Sequence, residues 1–419
     1  MSNRQDNRVV ITGLGILAPN GNGVEAFSEA IFAGKSGVGP ITLFDPSELP
    51  INIAAEVKDF DPADFMPISI VRKTDRFAQF GVATAKMALG DANLSEENPD
   101  LNAAAVIIGS GLGGLNFHEE MMFSLIESAN PRRVAASSVP RITPNAVSAY
   151  IALTNKITGP NQVISTACSS SAQAIGEAFR KVKFGDVKIA ITGGVEATIS
   201  LLNMTMYNAL MVLGTPVDSN IQTASRPFDK TRNGFVMGEG AACLVLENID
   251  SALDREAKIY GEIVGFGSHC GAYHMVAPNP TGEDAAKVMK ASLDEAGLAI
   301  DEVNHISAHG TSTKLNDAAE TNAIKFLFGE RAHSIPVTSI KSMIGHTIGA
   351  AGAMQAVSSC LSLKDQCIPP TINLNNPDEE CDLDYIPNQS RDAEIDVIVS
   401  NSFGFGSNNA SLVFKKFEK

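Results

Sequence analysis

One of the six cysteines, Cys168, sits in a run of small residues, Ser165-Thr166-Ala167-Cys168-Ser169-Ser170-Ser171. The run lies between an apolar strand and an amphipathic helix. In that helix Ala172, Ile175, Phe179 and Val182 recur at helical spacing, and Arg180, Lys181 and Lys183 gather at the C-terminal end. A thiol in such a strand-to-helix turn stands at the positive end of the helix dipole. That setting is expected to lower its pKa and present the sulfur to a substrate as a nucleophile. Backbone N–H groups of the turn would face a developing oxyanion. Taken alone, Cys168 also reads as a buried, inert cysteine.

Three further segments offer partners. His305-Ile306-Ser307-Ala308-His309-Gly310-Thr311-Ser312-Thr313 places two histidines four apart. On a helix that spacing binds metal, but here the run reads as a strand ending at Gly310, and no Glu follows His305. At ~3.3 Å per residue the two would lie roughly 13 Å apart, too far to share an ion. His309, at the strand end, is the candidate for hydrogen-bond or proton chemistry, and His305 reads as structural. Lys341-Ser342-Met343-Ile344-Gly345-His346 follows another strand and opens a small-residue helix, putting Lys341 and His346 in one loop. Most lysines are solvated surface, which is the other reading of Lys341. Asn401-Ser402-Phe403-Gly404-Phe405-Gly406-Ser407-Asn408-Asn409 sets bulky rings between glycines, a loop able to gate a pocket or simply a turn with core aromatics.

The elements that must position these residues follow an α/β pattern. Strands are expected at Val9–Thr12, Ala104–Ile108, Gln162–Ser165, Val187–Thr192 and Ala242–Leu246. Five more are expected at Glu262–Phe266, His305–Ala308, Val337–Ser339, Val397–Ser400 and Ser411–Phe414. Helices are expected at Phe77–Leu94, Ser170–Lys183, Ala285–Ala296 and Asp317–Phe328. A length of 419 residues suits two packed halves, and the polar stretch Ser251–Lys258 marks their divide, giving 1–255 and 256–419. No internal repeat is visible.

Composition narrows the function classes. Hydrophobic residues at 44% and charged residues at 19% describe an ordinary globular chain. A net charge of −15 and the lack of tryptophan argue against nucleic-acid binding. The start, MSNRQDNRVV, has no secretory pattern, and no apolar run reaches the roughly 18–20 residues of a membrane span. With no CxxC pair and no metal-ligand spacing, reduced cysteines in the cytoplasm are expected. Two glycine runs, Gly13–Ala18 and Gly109–Gly114, fit a loose dinucleotide fingerprint. The first meets Pro19-Asn20-Gly21 rather than a helix, and the second lacks a clear strand ending in a ribose-binding acid, so neither is assigned that role.

Together the four segments resemble the β-ketoacyl-acyl-carrier-protein synthases, most closely the type II synthases. The similarity runs from Val9 to Phe414. It includes Ala224-Ser225-Arg226-Pro227-Phe228-Asp229, Asn233-Gly234-Phe235-Val236-Met237-Gly238-Glu239-Gly240 and Pro369-Pro370-Thr371-Ile372-Asn373. The resemblance implies a thiolase-like α/β fold: two similar βαβαβαββ halves in a five-layer αβαβα arrangement, acting as a dimer. It implies that Cys168 takes an acyl chain from an acyl carrier protein as a thioester. His309 and His346 would stabilise the enolate formed when a malonyl thioester loses carbon dioxide. Backbone N–H groups of Cys168 and Phe405 would hold the oxyanion. Lys341 would orient the site, paired with Glu320; Phe405 would gate it, and Leu112 would line the acyl tunnel. Arg72-Lys73 and Arg132-Arg133 fall where the family carries basic docking residues for its acidic carrier protein; scattered solubilising charge is the alternative. No metal or other cofactor is implied.

Several departures point away from a housekeeping enzyme. Ser407-Asn408-Asn409 stands where Gly-Thr-Asn is common, and Lys314-Leu315-Asn316-Asp317 where Pro-Ala-Gly-Asp is usual. Leu201–Gly214 is rich in Met and lacks the usual glycines and basic residue. The Cys168–Ser171 run is nearer to polyketide ketosynthases. These departures suggest a specialised ketosynthase, as a homodimer or with a chain-length-factor-like partner. The competing readings are a chain-length factor itself, which normally lacks the nucleophile, and a degradative thiolase, which wants a second catalytic cysteine near the C-terminus.

Overall fold

In the computed structural model, residues 7–418 are described. The sequence start discussed above, Met1–Asp6, lies outside them. Apolar runs without alternation must be covered on both faces, and the strands built from them are buried along most of their length, except the edge strand Asn161–Ile164, which is exposed or half-buried throughout. The first half contains β1 (Val9–Ala18), β2 (Ala105–Gly109), β3 (Asn161–Ile164), β4 (Ile189–Glu196) and β5 (Gly240–Asn248). The second contains β6 (Gly261–Cys270), β7 (His305–Ser307), β8 (Val337–Thr338), β9 (Val397–Gly404) and β10 (Asn408–Lys415). All ten expected strands are therefore present, although the one carrying His305 stops at Ser307 rather than Gly310.

The two halves have the same connectivity. In the first, β2 is parallel to β3 and β4, β4 is antiparallel to β5, and β5 to β1. In the second, β7 is parallel to β8 and β9, β9 is antiparallel to β10, and β10 to β6. The half-sheets meet at a short antiparallel seam that aligns Val9 with Ile263, Val10 with Glu262 and Ile11 with Gly261. The resulting order is β8-β7-β9-β10-β6-β1-β5-β4-β2-β3. This is the expected thiolase-like frame, and its internal duplication is explicit.

The principal helices complete five layers. On the outer face of the first half, α1 (Arg76–Asp91) packs on β1, β4 and β5, and α2 (Leu115–Ser128) follows β2. Also on that side, α3 (Ala146–Asn155) packs on α1. In the middle lies α4 (Ser170–Lys183), touching both half-sheets; α5 (Leu201–Ala209) follows β4. Outside the second half lie α6 (Glu283–Ala296) and α7 (Lys314–Phe328), while α8 (Ala351–Asp365) joins α4 in the central layer.

The central layer sets the site. The amphipathic stripe foreseen on α4 is buried, with Phe179 and Phe266 fully enclosed; each contributes about 1.5–3 kcal/mol by leaving water. Gly176 is required there, since a Cβ would lie 2.3 Å from the Phe266 ring. On α8, Gly352 lets the backbone come close to Ala172 of α4. The N-terminal ends of these two helices are thus pressed together between the sheets.

Candidate active site

Cys168 occupies a 3-10 turn, Ala167–Ser169, between β3 and α4. Ala167 has φ +52°, a left-handed conformation that is costly for a residue with a side chain and turns the chain sharply at the nucleophile. The serines secure the turn. Ser170 Oγ donates to Ala167 O at 2.6 Å and accepts from Thr166 N at 2.8 Å, while Ser169 Oγ donates to Thr166 O at 2.8 Å. Ser171 Oγ accepts the Ala353 N–H of α8 at 2.9 Å.

The expected lowering of the thiol pKa is overturned. Burial pushes the Cys168 thiol up to about 12, and the Glu196 charge adds to the rise; Lys341 and the N–H groups of Phe405 and Cys168 pull the other way. Desolvation outweighs the helix end because the residue is only 6% exposed. Both of the amides implied as an oxyanion hole nevertheless point at the sulfur.

His346 Nε2 lies 3.1 Å from Cys168 Sγ. Its Nδ1 accepts the Ile348 N–H at 3.3 Å, so the proton of the neutral ring sits on Nε2 and is directed at the sulfur. Burial, then the positive charge of Lys341, holds the His346 pKa well below the ordinary imidazole value. The same causes, with His346 added, depress His309. Both rings are therefore neutral at pH 7. Their centroids are 5.4 Å apart, edge to face, and the His309 ring also lies 5.7 Å from that of Phe403.

Lys341 and Glu320 do not form the expected ion pair. Lys341 Nζ donates to His309 O at 2.6 Å and to Gln355 Oε1 at 3.0 Å. Glu320 accepts the N–H groups of His309 and Gly310, each at 2.8 Å, and an Asn401 N–H at 3.3 Å. They grip opposite sides of the His309 backbone, and a direct pair would give up these bonds. Burial lowers the Lys341 pKa and raises that of Glu320, and the Glu320 charge favours the charged lysine. Lys341 is 2% exposed, so the solvated-surface reading fails.

Two supporting residues escaped the sequence reading. Gln355 on α8 donates to Ser307 O, Ala308 O and Asn401 O while accepting from Lys341, tying β7 and β9 to the lysine. Glu196, at the end of β4, accepts N–H groups from Gly111, Leu112 and Gly349 at 2.8, 3.2 and 3.0 Å. Burial raises its pKa to about 7. An acid closing an otherwise uncharged, fully buried strand was the available signal.

A cavity of about 630 Å³ opens onto Cys168, His309, His346 and Phe405, which makes Phe405 a wall residue as the gating role requires. Leu112, by contrast, is not among the residues lining that cavity; its placement here is its backbone bond to Glu196. In the second glycine run, the amides of Gly111 and Leu112 that a pyrophosphate would need are taken by this carboxylate. His305 bonds Thr338 Oγ1 at 2.9 Å and is structural. Arg72, Lys73, Arg132 and Arg133 are exposed in the first half. One ligand atom each from Cys168, His309 and His346 lies within 4.8 Å of the others, a donor set that suits a soft divalent metal. Among the described residues, no helix is long and apolar enough to cross a membrane.

The model of the β-ketoacyl synthase N-terminal domain matches residues 6–252, and that of the C-terminal domain residues 260–375. The chain belongs to the β-ketoacyl synthase family. Curated ketosynthase relatives agree over the full length. It is 45% identical over 412 residues to a 3-oxoacyl-[acyl-carrier-protein] synthase 2 of Coxiella burnetii, covering 98% of this chain and 99% of that one. The synthase 2 of Synechocystis is 43% identical over 418 residues, covering all of both chains. Among solved structures, the ishigamide ketosynthase/chain length factor superposes with a TM-score of 0.92 at 33% identity, covering 99% of this chain and 100% of that one. A type II polyketide ketosynthase, in complex with its acyl-carrier protein and bound to a hexaketide, gives 0.90 at 32%, again covering 99% and 100%. The chain is thus an acyltransferase-type enzyme, a ketosynthase.

Proposed function

We propose that the enzyme joins a Cys168-bound acyl chain to malonyl-acyl-carrier protein by decarboxylative condensation. The carrying observation is the His346 Nε2–H aimed at Cys168 Sγ beside the neutral His309. Cys168 attacks the acyl thioester; a new C–S bond forms and the carrier thiol leaves with the thiol proton. A malonyl thioester then enters, and cleavage of its carboxyl C–C bond releases carbon dioxide. The electron pair moves onto the thioester oxygen, where N–H donors from His309 and His346 receive the charge. The enolate carbon attacks the acyl carbonyl, and the amides of Cys168 and Phe405 hold the oxyanion. Collapse forms the 3-oxoacyl product and expels the Cys168 thiolate, which is then reprotonated. Neutral imidazoles suit this task, since it needs hydrogen-bond donors with no proton to remove.

Lys341 and Glu320 are positioning residues that hold His309 through its backbone. Phe405 is the gate, and Leu112 a residue of the deeper acyl tunnel. Arg72, Lys73, Arg132 and Arg133 form the docking surface for an acidic carrier protein. The Cys168–Ser171 run and the Met-rich stretch after β4 favour a specialised polyketide role, with a homodimer or a chain-length-factor-like partner. Six free thiols suit a reducing compartment such as the cytoplasm. A thiolase would need a second cysteine in the cavity, and among the described residues Cys168 is the one cysteine lining it.

Incubation with malonyl-carrier protein and a panel of acyl-carrier proteins, read by intact-protein mass spectrometry, tests the reading. Acyl mass on Cys168 followed by 3-oxoacyl product is expected. No adduct on Cys168 overturns it. A competent homodimer elongating saturated chains overturns the polyketide assignment.

A further inference from the structure

Helix α5 places one polar group against an otherwise apolar part of the cavity. Leu210, Met211 and Val212, just past its end, are apolar lining residues, but Tyr207 lines the same wall. Its ring stands edge-on to Phe235 at 5.9 Å, and Phe235 stands edge-on to His346 at 5.1 Å, so the phenol is two rings from the catalytic imidazole. Its hydroxyl has no hydrogen-bond partner among the described residues. Tyr207 is half-buried and its hydroxyl is not enclosed, so an incoming group in the cavity can reach it.

One turn earlier, on the same face of the helix, Asn203 is completely buried. Its Nδ2 donates to Asn116 Oδ1 at 3.2 Å and Ser200 Oγ at 3.1 Å. Its Oδ1 is enclosed and unpartnered. Asn203 does not line the cavity, and a hydrocarbon chain there could not satisfy the Tyr207 hydroxyl. Burial, then negative charge at Cys168 and Glu196, pushes the Tyr207 pKa up, so the hydroxyl stays protonated and able to donate.

Resting on the function proposed above, we propose that Tyr207 is a specificity residue that hydrogen-bonds an oxygen near the thioester of the Cys168-bound chain. The enzyme then favours acyl groups bearing a 3-oxo or 3-hydroxy group over saturated ones. A site built to bond a substrate oxygen rejects the analogue without it more strongly than an apolar wall rejects an added hydroxyl.

The test is a competition. Equimolar hexanoyl- and 3-oxohexanoyl-carrier protein are offered to the full-length enzyme, and the two Cys168 adducts are quantified by mass. The oxygenated adduct is expected to lead by about tenfold. Tyr207→Phe keeps the ring contact with Phe235 and is expected to bring the ratio to within about twofold of one. A 3-hydroxyhexanoyl competitor should behave like the 3-oxo compound. A wild-type ratio near one, a preference for the saturated chain, or an unchanged ratio in Tyr207→Phe overturns the inference. Those outcomes leave the condensation reading intact, whereas no adduct from any donor overturns both.

Discussion

The two halves share one strand pattern and carry different chemistry. In the first, β3 is followed by Ser165 and Thr166 and then by the 3-10 turn Ala167–Ser169, whose first residue has φ +52°. In the second, β8 is followed by the longer stretch Ser339–Thr347 and then by the 3-10 turn Ile348–Ala350, whose first residue has φ +43°. Both turns open a central helix. The place of Cys168 in the first turn is filled in the second by Gly349, which cannot attack anything. Its own role is close approach: a Cβ there would lie 2.4 Å from Gly111 N and 2.6 Å from Glu196 Oε2. The added stretch before the second turn is what brings Lys341 and His346. On the proposed function, duplicating the frame freed one copy of the turn to hold the nucleophile, and the other to hold the groups that manage charge around it.

This division predicts separable defects. Cys168→Ala should abolish both acyl transfer and condensation, by on the order of 10³-fold or more, with no acyl mass on the chain. His346→Ala should lower malonyl decarboxylation by about 10²–10³-fold while still accepting an acyl group on Cys168. Equal loss of acyl transfer and decarboxylation would show that the halves do not divide the work. Gly349→Ala should cost about 1–3 kcal/mol of stability through overpacking, measured by denaturant unfolding. An unchanged midpoint would mean that the second turn yields readily.

The pH profile sharpens the same contrast. Both imidazole pKa values are depressed, so the rings remain neutral as pH falls through the ordinary histidine value. The decarboxylation rate should show no inflection near pH 6.5. On the alkaline side, the lowered Lys341 pKa means its charge is lost below the ordinary lysine range. The resulting fall in rate should disappear in Lys341→Met. The smallest effect is expected from Arg72→Glu and Lys73→Glu, on the first half alone: a few-fold higher KM for carrier-protein substrates, diminishing with salt.

Much of the frame was legible because its parallel strands are short apolar runs, and buried strands announce themselves that way. All ten were placed, and Cys168, His309 and His346 do meet around one cavity, with Lys341 behind them on the His309 backbone. The duplication was not legible, since a strand pattern survives substitution of nearly every residue in it. Nor were the partners of Lys341 legible. Its bonds go to a backbone carbonyl of His309 and to Gln355 on another helix, and neither leaves a mark in local spacing. The sulfur pKa failed for a related reason. A helix end is visible in sequence, but the depth at which it is buried is a property of everything packed around it.

That depth has a consequence for the protein's exposure to chemical damage. Peroxides and alkylating agents attack thiolates, and burial, by raising the Cys168 pKa, lowers the share of thiolate they meet. Only the arrival of a thioester, within reach of the Cys168 and Phe405 amides and the imidazoles, makes charge on that sulfur worthwhile. The resting enzyme is thus shielded by the same burial that delays its chemistry. An electrophilic inhibitor would gain more from resembling the acyl substrate than from raw reactivity.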